Sequence, residues 1–382
     1  MTAAFLLVPV SGASAVAAGV ALSLIGAIKQ PFAQRLDCSE DRVERLHRLM
    51  QLALIVALPL AGLAVDRFGA ELVLIASSLL AGFSISLLGL REGLTLARLA
   101  LLLLGAAAAG LVVGALVLMP AAFPSRHPAA AVGLGMVLFG LGTVLTPLLA
   151  DWLQRRLRLR RALLLTGLVC LAPALAAALT PADEWPDPAR TGWDQLFAQQ
   201  IVWLTALLLI FYAPLETSLT AWTDRYLAEL GMSAGQTRWL MIGFWTAFLA
   251  SRFLMAWLIG VTSLPLAGLK WFILGLGLAV AIDLGNMVGS GHRTGAAWGL
   301  LLLGAFCGPL LPTMLGVMLA ELPGEAGTAI GTVWALGTLS SLVLSPAVAL
   351  LVRRSSVQRA LRIPLLSALL LAGVALVLSL AR

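Results

Sequence analysis

Twelve long apolar runs follow one another along the chain, at residues 4–28, 47–66, 71–90, 98–119, 129–150, 162–180, 200–222, 237–260, 266–288, 296–319, 328–351 and 362–381. Each is close to the roughly 20 residues that a helix needs to cross a bilayer. In lipid the backbone must satisfy its own hydrogen bonds, so only helices and closed barrels span. A barrel has shorter segments that alternate apolar and polar residues, and these runs do not. The pattern predicts an all-α integral membrane protein with twelve transmembrane helices. Composition agrees: 60% of residues are apolar and 11% charged, against about a quarter charged in soluble domains. The first run, from Ala3 to Ile28, has no basic segment before it and is too long for a signal-peptide core. It reads as the first spanning helix.

The net charge of +7 does not point to nucleic acid, because no stretch interleaves basic and aromatic residues. It fits Arg side chains at membrane interfaces, where lipid is the partner. Cys38, Cys170 and Cys307 are odd in number and far apart, and His47, His127 and His292 are scattered. Neither a disulfide framework nor a metal site follows; the expectation is no metal and no cofactor. No phosphate-binding loop of the Gly-x-x-x-x-Gly-Lys-Ser/Thr type occurs, which argues against a self-contained ATP-driven pump.

The longest polar interruption, residues 181–199, carries Asp183, Glu184, Asp187 and Asp194 among three prolines. It divides the runs six and six. The expected organisation is an N-terminal bundle over 1–180, a linker over 181–199 and a C-terminal bundle over 200–382. An internal repeat supports this. Leu101–Pro124 reads LLLLGAAAAGLVVGALVLMPAAFP and Leu300–Pro323 reads LLLLGAFCGPLLPTMLGVMLAELP, a shift of 199 residues. The same shift aligns Pro147 with Pro346 and Arg155 with Arg354. Span four falls on span ten in parallel register, as in transporters built from repeats.

The loop after the second run reads Gly62-Leu-Ala-Val-Asp66-Arg67-Phe-Gly69. It resembles the loop signature of the major facilitator superfamily of secondary transporters. That resemblance implies two six-helix bundles, with spans one, four, seven and ten lining a cavity. It also implies a conformational latch formed by Gly62, Asp66, Arg67 and Gly69. The glycines permit a tight turn, and the Asp can accept hydrogen bonds from a helix N-terminus. Ala70 and Glu71 stand where the signature has basic residues, which weakens any charge relay. The second half is similar to the fucose-permease-like branch of sugar transporters. It has Glu216 before Trp222 in span seven, Arg252 in span eight and Gly308-Pro309-Leu-Leu-Pro312-Thr313 in span ten. Ser251 precedes Arg252 where that branch has Gly.

Ionisable residues within spans are few and are functional candidates. Glu216, two residues after the helix-distorting Pro214, is expected to bind a proton or a substrate hydroxyl, or else to be a structural ion pair or an interfacial carboxylate. The resemblance implies that Arg252 braces the bundle near the latch, with substrate contact as the alternative. Tyr212, Trp222, Trp245, Thr313, Trp334 and Thr338 are candidates for cavity lining, with aromatic rings suited to sugar faces; interfacial belts are the alternative use of Trp. Pro309 and Pro312 are expected to kink span ten. Asp283 with Asn286, late in span nine, reads as helix-end capping or interface. Spans one and four carry no carboxylate, so any proton coupling is expected in the second half.

The function expected is a monomeric secondary transporter of a small solute, sugar-like or amphipathic, with coupling to protons open. The alternatives are a receptor or scaffold that keeps the transporter fold, and an intramembrane enzyme. The enzyme reading lacks any paired carboxylate, His cluster or Ser/His set at membrane depth, so no catalytic residue is assigned. Localisation is multi-pass in a membrane, the inner membrane in a bacterium, with both termini on one side. Orientation is contested. The superfamily's usual placement would leave Arg67, Arg126, Arg190 and Lys270 inside. Outside would lie Arg42, Arg45, Arg48, Arg155, Arg156, Arg158, Arg160, Arg161, Arg353, Arg354, Arg359 and Arg362. The positive-inside rule favours the reverse.

Overall fold

A computed structural model describes residues 2–90, 93–123, 127–188, 193–262, 264–322 and 326–381. Arg126, Arg190, Pro124 and Pro323 lie outside the described residues. Regular structure among the described residues is helical throughout, and twelve helices are long and apolar enough to cross a membrane. Spans one to six are Leu6–Ala27, Glu40–Phe68, Ala70–Leu90, Leu94–Ala122, Pro128–Arg156 and Leu159–Ala178. Spans seven to twelve are Gln200–Glu229, Ala234–Val261, Leu266–Gly289, Arg293–Glu321, Ala326–Arg354 and Val357–Leu380.

The helix ends follow local chemistry. Ser233 and Gln236 form a reciprocal capping box at the start of span eight, which satisfies two otherwise orphan donors. Gly69 closes span two with φ of 87°, a conformation that side chains with a Cβ adopt rarely. Two spans are composite. Span six breaks between Val169 and Ala172, and span twelve begins with a separate turn, Val357–Ala360. The polar 181–199 interval holds a short 3-10 turn at Ala182–Glu184 and a helix at Trp193–Ala198.

The contacts gather the chain into two compact units. Unit one holds Met1–Pro124, Gly135–Gly192 and Gly324–Ala335; unit two holds Ser125–Leu134, Trp193–Pro323 and Leu336–Arg382. The first turns of span five therefore pack with unit two, and those of span eleven with unit one.

Spans four and ten are the most enclosed, each 78% buried over its most apolar window, followed by spans one and seven at 61% each. Glycine makes this possible. A Cβ on Gly105 of span four would lie 2.3 Å from the Met50 carbonyl of span two. In unit two a Cβ on Gly304 of span ten would lie 2.4 Å from the Phe244 carbonyl of span eight. Gly105 and Gly304 are partners under the 199-residue shift, so the repeat reappears as the same helix–helix approach in each unit. With no hydrophobic force between helices in lipid, such close backbone packing is what holds them together.

Candidate functional site

The polar group of unit two starts from a proline. Pro312 has no N–H, so the carbonyl of Gly308, four residues back, loses its helical donor. Arg252 of span eight supplies one: its Nε donates to that oxygen at 2.8 Å. The guanidinium is 3% exposed and stacks over the Phe248 ring, with Cζ 4.4 Å from the centroid. Gly308 lets the helices meet there, since a Cβ on it would lie 2.2 Å from the Phe248 carbonyl. One residue earlier, the Cys307 carbonyl accepts from the Tyr212 hydroxyl of span seven at 3.1 Å. Glu216 stands one turn on from Tyr212 in span seven and is half-buried. Tyr212 and Arg252 thus donate to successive carbonyls of span ten, at Cys307 and Gly308.

The other expected residues divide around this group. Thr313 is buried and donates to Pro309 O at 2.7 Å within its own helix. Trp222 and Trp245 are half-buried; Trp245 stands edge-on to Phe244 and Phe248, with centroids 5.2 and 5.4 Å away. Thr338 is half-buried in unit two. Trp334 belongs to unit one, edge-on to Phe139 at 6.2 Å. Tyr212 is 1% exposed, so it acts through the hydroxyl contacts described and not as an open wall.

The loop residues form a second group, in unit one. Asp66 reaches the start of span eleven. Its Oδ1 accepts from Gly327 N at 2.9 Å; its Oδ2 accepts from Thr328 N at 2.7 Å and from the Thr328 hydroxyl at 2.6 Å. A carboxylate from span two thus caps a helix that begins 261 residues later. Charge-assisted bonds of this kind are worth roughly 1.5–3 kcal/mol each. Gly62 is buried one turn before, where a Cβ would lie 2.2 Å from the Gly327 carbonyl. Arg67 is exposed beside Phe68. Glu71 sits in the first turn of span three, where an acid favours the helix N-terminus. Arg252, expected near this loop, belongs to unit two.

Span five starts differently. His127 stands at its N-cap, with Pro128 as the first helical residue, and its Nδ1 accepts from Ala129 N at 3.2 Å. Burial lowers the pKa of this imidazole below its ordinary 6.5, which keeps the acceptor nitrogen available.

Two features were not legible from the sequence. Lys270, taken as a loop charge, is buried in span nine and pairs with Glu321 at 2.8 Å. Asp283, read as a helix-end or interfacial residue, is 8% exposed. Position along a span does not reveal which face a residue occupies.

A helical membrane protein with twelve candidate spans among the described residues, an acid-capped helix start in one unit and a proline-containing helix with externally held carbonyls in the other is the class these features define. The family model of the Major Facilitator Superfamily matches residues 10–345, and the chain belongs to that family. Among curated proteins no sequence matches. Solved structures share the fold. The fucose:proton symporter FucP of E. coli is 16% identical, with a TM-score of 0.78, over 98% of this chain and 99% of that one. The proton:xylose symporter XylE is 13% identical, with a TM-score of 0.79, over 97% and 95%. The human organic anion transporter TETRAN is 17% identical, with a TM-score of 0.72, over 97% and 99%.

Proposed function

We propose that the protein is a secondary transporter that moves a small hydroxylated or amphipathic solute by alternating access. The observation that supports this reading is that Tyr212 and Arg252 donate to span ten at Cys307 and Gly308, with the half-buried Glu216 one turn from Tyr212. A half-buried carboxylate in a spanning helix offers an acceptor for a solute hydroxyl. Span ten stays helical through Pro309 and Pro312, and a helix that lacks backbone bonds at proline can bend. In this reading Asp66, Gly62 and Gly69 hold one conformational state through the start of span eleven. No reaction step is assigned, because the polar groups are arranged to hold and release, not to transform.

Reconstitution of the full chain in liposomes tests this. Labelled L-fucose, D-xylose and an organic anion serve as probes. We expect counterflow of at least one probe, lowered at least tenfold by Glu216→Gln, which keeps the shape and removes the charge. Counterflow of a probe unaffected by that substitution would remove Glu216 from the site. Absence of movement for all three would reject these substrate classes.

A further inference from the structure

Asp283 is the enclosed acid in unit two that the site above does not use. Its Oδ2 is buried with no hydrogen-bond partner among the described residues. The carboxyl faces span ten at Gly299, where a Cβ would lie 3.0 Å from Oδ1. Glycine at 299 therefore makes the room that the carboxyl fills. Met287, one turn on, packs on the same spot, with Cγ 2.9 Å from that position.

The cations on the neighbouring elements are held elsewhere or are exposed. The elements packed on span nine are span ten, span twelve and the short helix Val357–Ala360. Span ten brings Arg293, whose Nε is held by Leu230 O at 2.7 Å, and the Cys307 thiol. The short helix brings exposed Arg359 and Gln358, whose amide donates to Val288 O at 2.9 Å. The long helix of span twelve, Arg362–Leu380, begins with exposed Arg362. Lys270, at the other end of span nine, belongs to Glu321. From span seven, Tyr226 donates to Met287 O at 2.9 Å. Among the described residues Asp283 forms no ion pair.

An isolated carboxylate charge in apolar surroundings is strongly unfavourable. A metal cation would need several oxygen ligands, and this spot supplies one carboxyl. A proton removes the charge with no further ligand. The position also suits transfer. Its contact on span ten, Gly299, lies about two helical turns before the carbonyls that Tyr212 and Arg252 hold. On the other side, Tyr226 and Met287 lead to the exposed turn at Gly291–His292.

We propose that Asp283 is a proton-binding site of unit two, distinct from the Tyr212–Glu216–Arg252 group, that takes up and releases a proton as solute moves. This rests on the transport reading above. The step is simple: a hydronium ion gives its proton to the Asp283 carboxylate and becomes water, and the carboxylic acid returns the proton to water on release.

Infrared spectroscopy of the purified full chain, titrated with pH, tests the site without any solute. We expect a carboxylic-acid carbonyl band that responds to pH, absent in Asp283→Asn and retained in Glu216→Gln. In Asp283→Glu the band should persist at a shifted position. The same unshifted band in every variant would overturn the proposal. A second measurement uses liposomes with an enclosed pH dye, to which L-fucose or D-xylose is added. Sugar-driven proton movement should be lost in Asp283→Asn and return in Asp283→Glu; its persistence in the Asn variant would also overturn the proposal. If the wild-type chain moves neither sugar, the sugar reading fails, and the infrared titration alone decides Asp283. If Asp283→Asn does not fold, the band of Asp283→Glu decides.

Discussion

At the start of span five a neutral imidazole stands where serine or aspartate commonly caps a helix. His127 can accept from Ala129 N only while Nδ1 carries no proton, and a cation at a helix N-terminus opposes the macrodipole. In the unfolded chain this histidine titrates near 6.5, and in the folded chain burial holds it lower. The unfolded state therefore binds the proton first. The contribution of His127 to stability is complete above about 6.5 and is lost as pH falls through the lowered folded value. We expect the thermal unfolding midpoint of the wild-type protein in detergent to fall more steeply on acidification below about pH 6.5 than that of His127→Asn. Asparagine caps without titrating. Parallel pH curves for the two proteins would show that the imidazole is only packed there.

At the scale of the element, span ten is a helix with a missing backbone bond repaired from outside. Arg252→Met removes the donor and leaves the Gly308 carbonyl orphaned, at a cost of about 1–3 kcal/mol. Pro312→Ala restores an N–H four residues on, so in that background Arg252→Met should cost much less. The measurement is a double-mutant cycle of unfolding midpoints. Additive effects would mean that the arginine braces something other than this carbonyl. Part of this arrangement was open to sequence reasoning: Pro312 implies a freed acceptor at Gly308, and an arginine buried in lipid needs an acceptor. The pairing of the two required the packing of spans eight and ten, which no local pattern encodes. The span limits show the same division. Hydropathy located all twelve spans, yet span two starts at Glu40 and not near 47. Val43 and Leu46 are buried on one face of a polar turn, and a count of apolar residues passes over such amphipathic extensions. The break in span six at Cys170–Leu171 likewise left no gap in hydropathy.

At the scale of the whole molecule, charge and family point in opposite directions. Arg155, Arg156, Arg158, Arg160 and Arg161 are all exposed around the turn between spans five and six, and Arg353, Arg354, Arg359 and Arg362 are exposed around the turn between spans eleven and twelve. Basic residues near span ends favour the cytoplasmic side. We predict that the turn between spans five and six is cytoplasmic. A chain with Arg158→Cys, and with Cys38, Cys170 and Cys307 replaced, should resist an impermeant maleimide in intact cells and react once the cells are opened. Ready labelling in intact cells would restore the superfamily's usual placement. The fold class was legible because a bilayer imposes run length and helix on every span. Asp283 was misread because the chain's own packing, and not the bilayer, decides which face turns inward.

The cap on span eleven also carries a consequence for biosynthesis. Asp66 emerges early, and the amides it accepts from follow 261 residues later. At the ribosome's pace of roughly 5–20 residues per second, that carboxylate waits for tens of seconds. Gly327 and Thr328 belong to unit one although they are made after the Trp193–Pro323 part of unit two. Unit one therefore reaches its final contacts only when the eleventh span arrives, and a nascent chain released before that point leaves its first half unfinished.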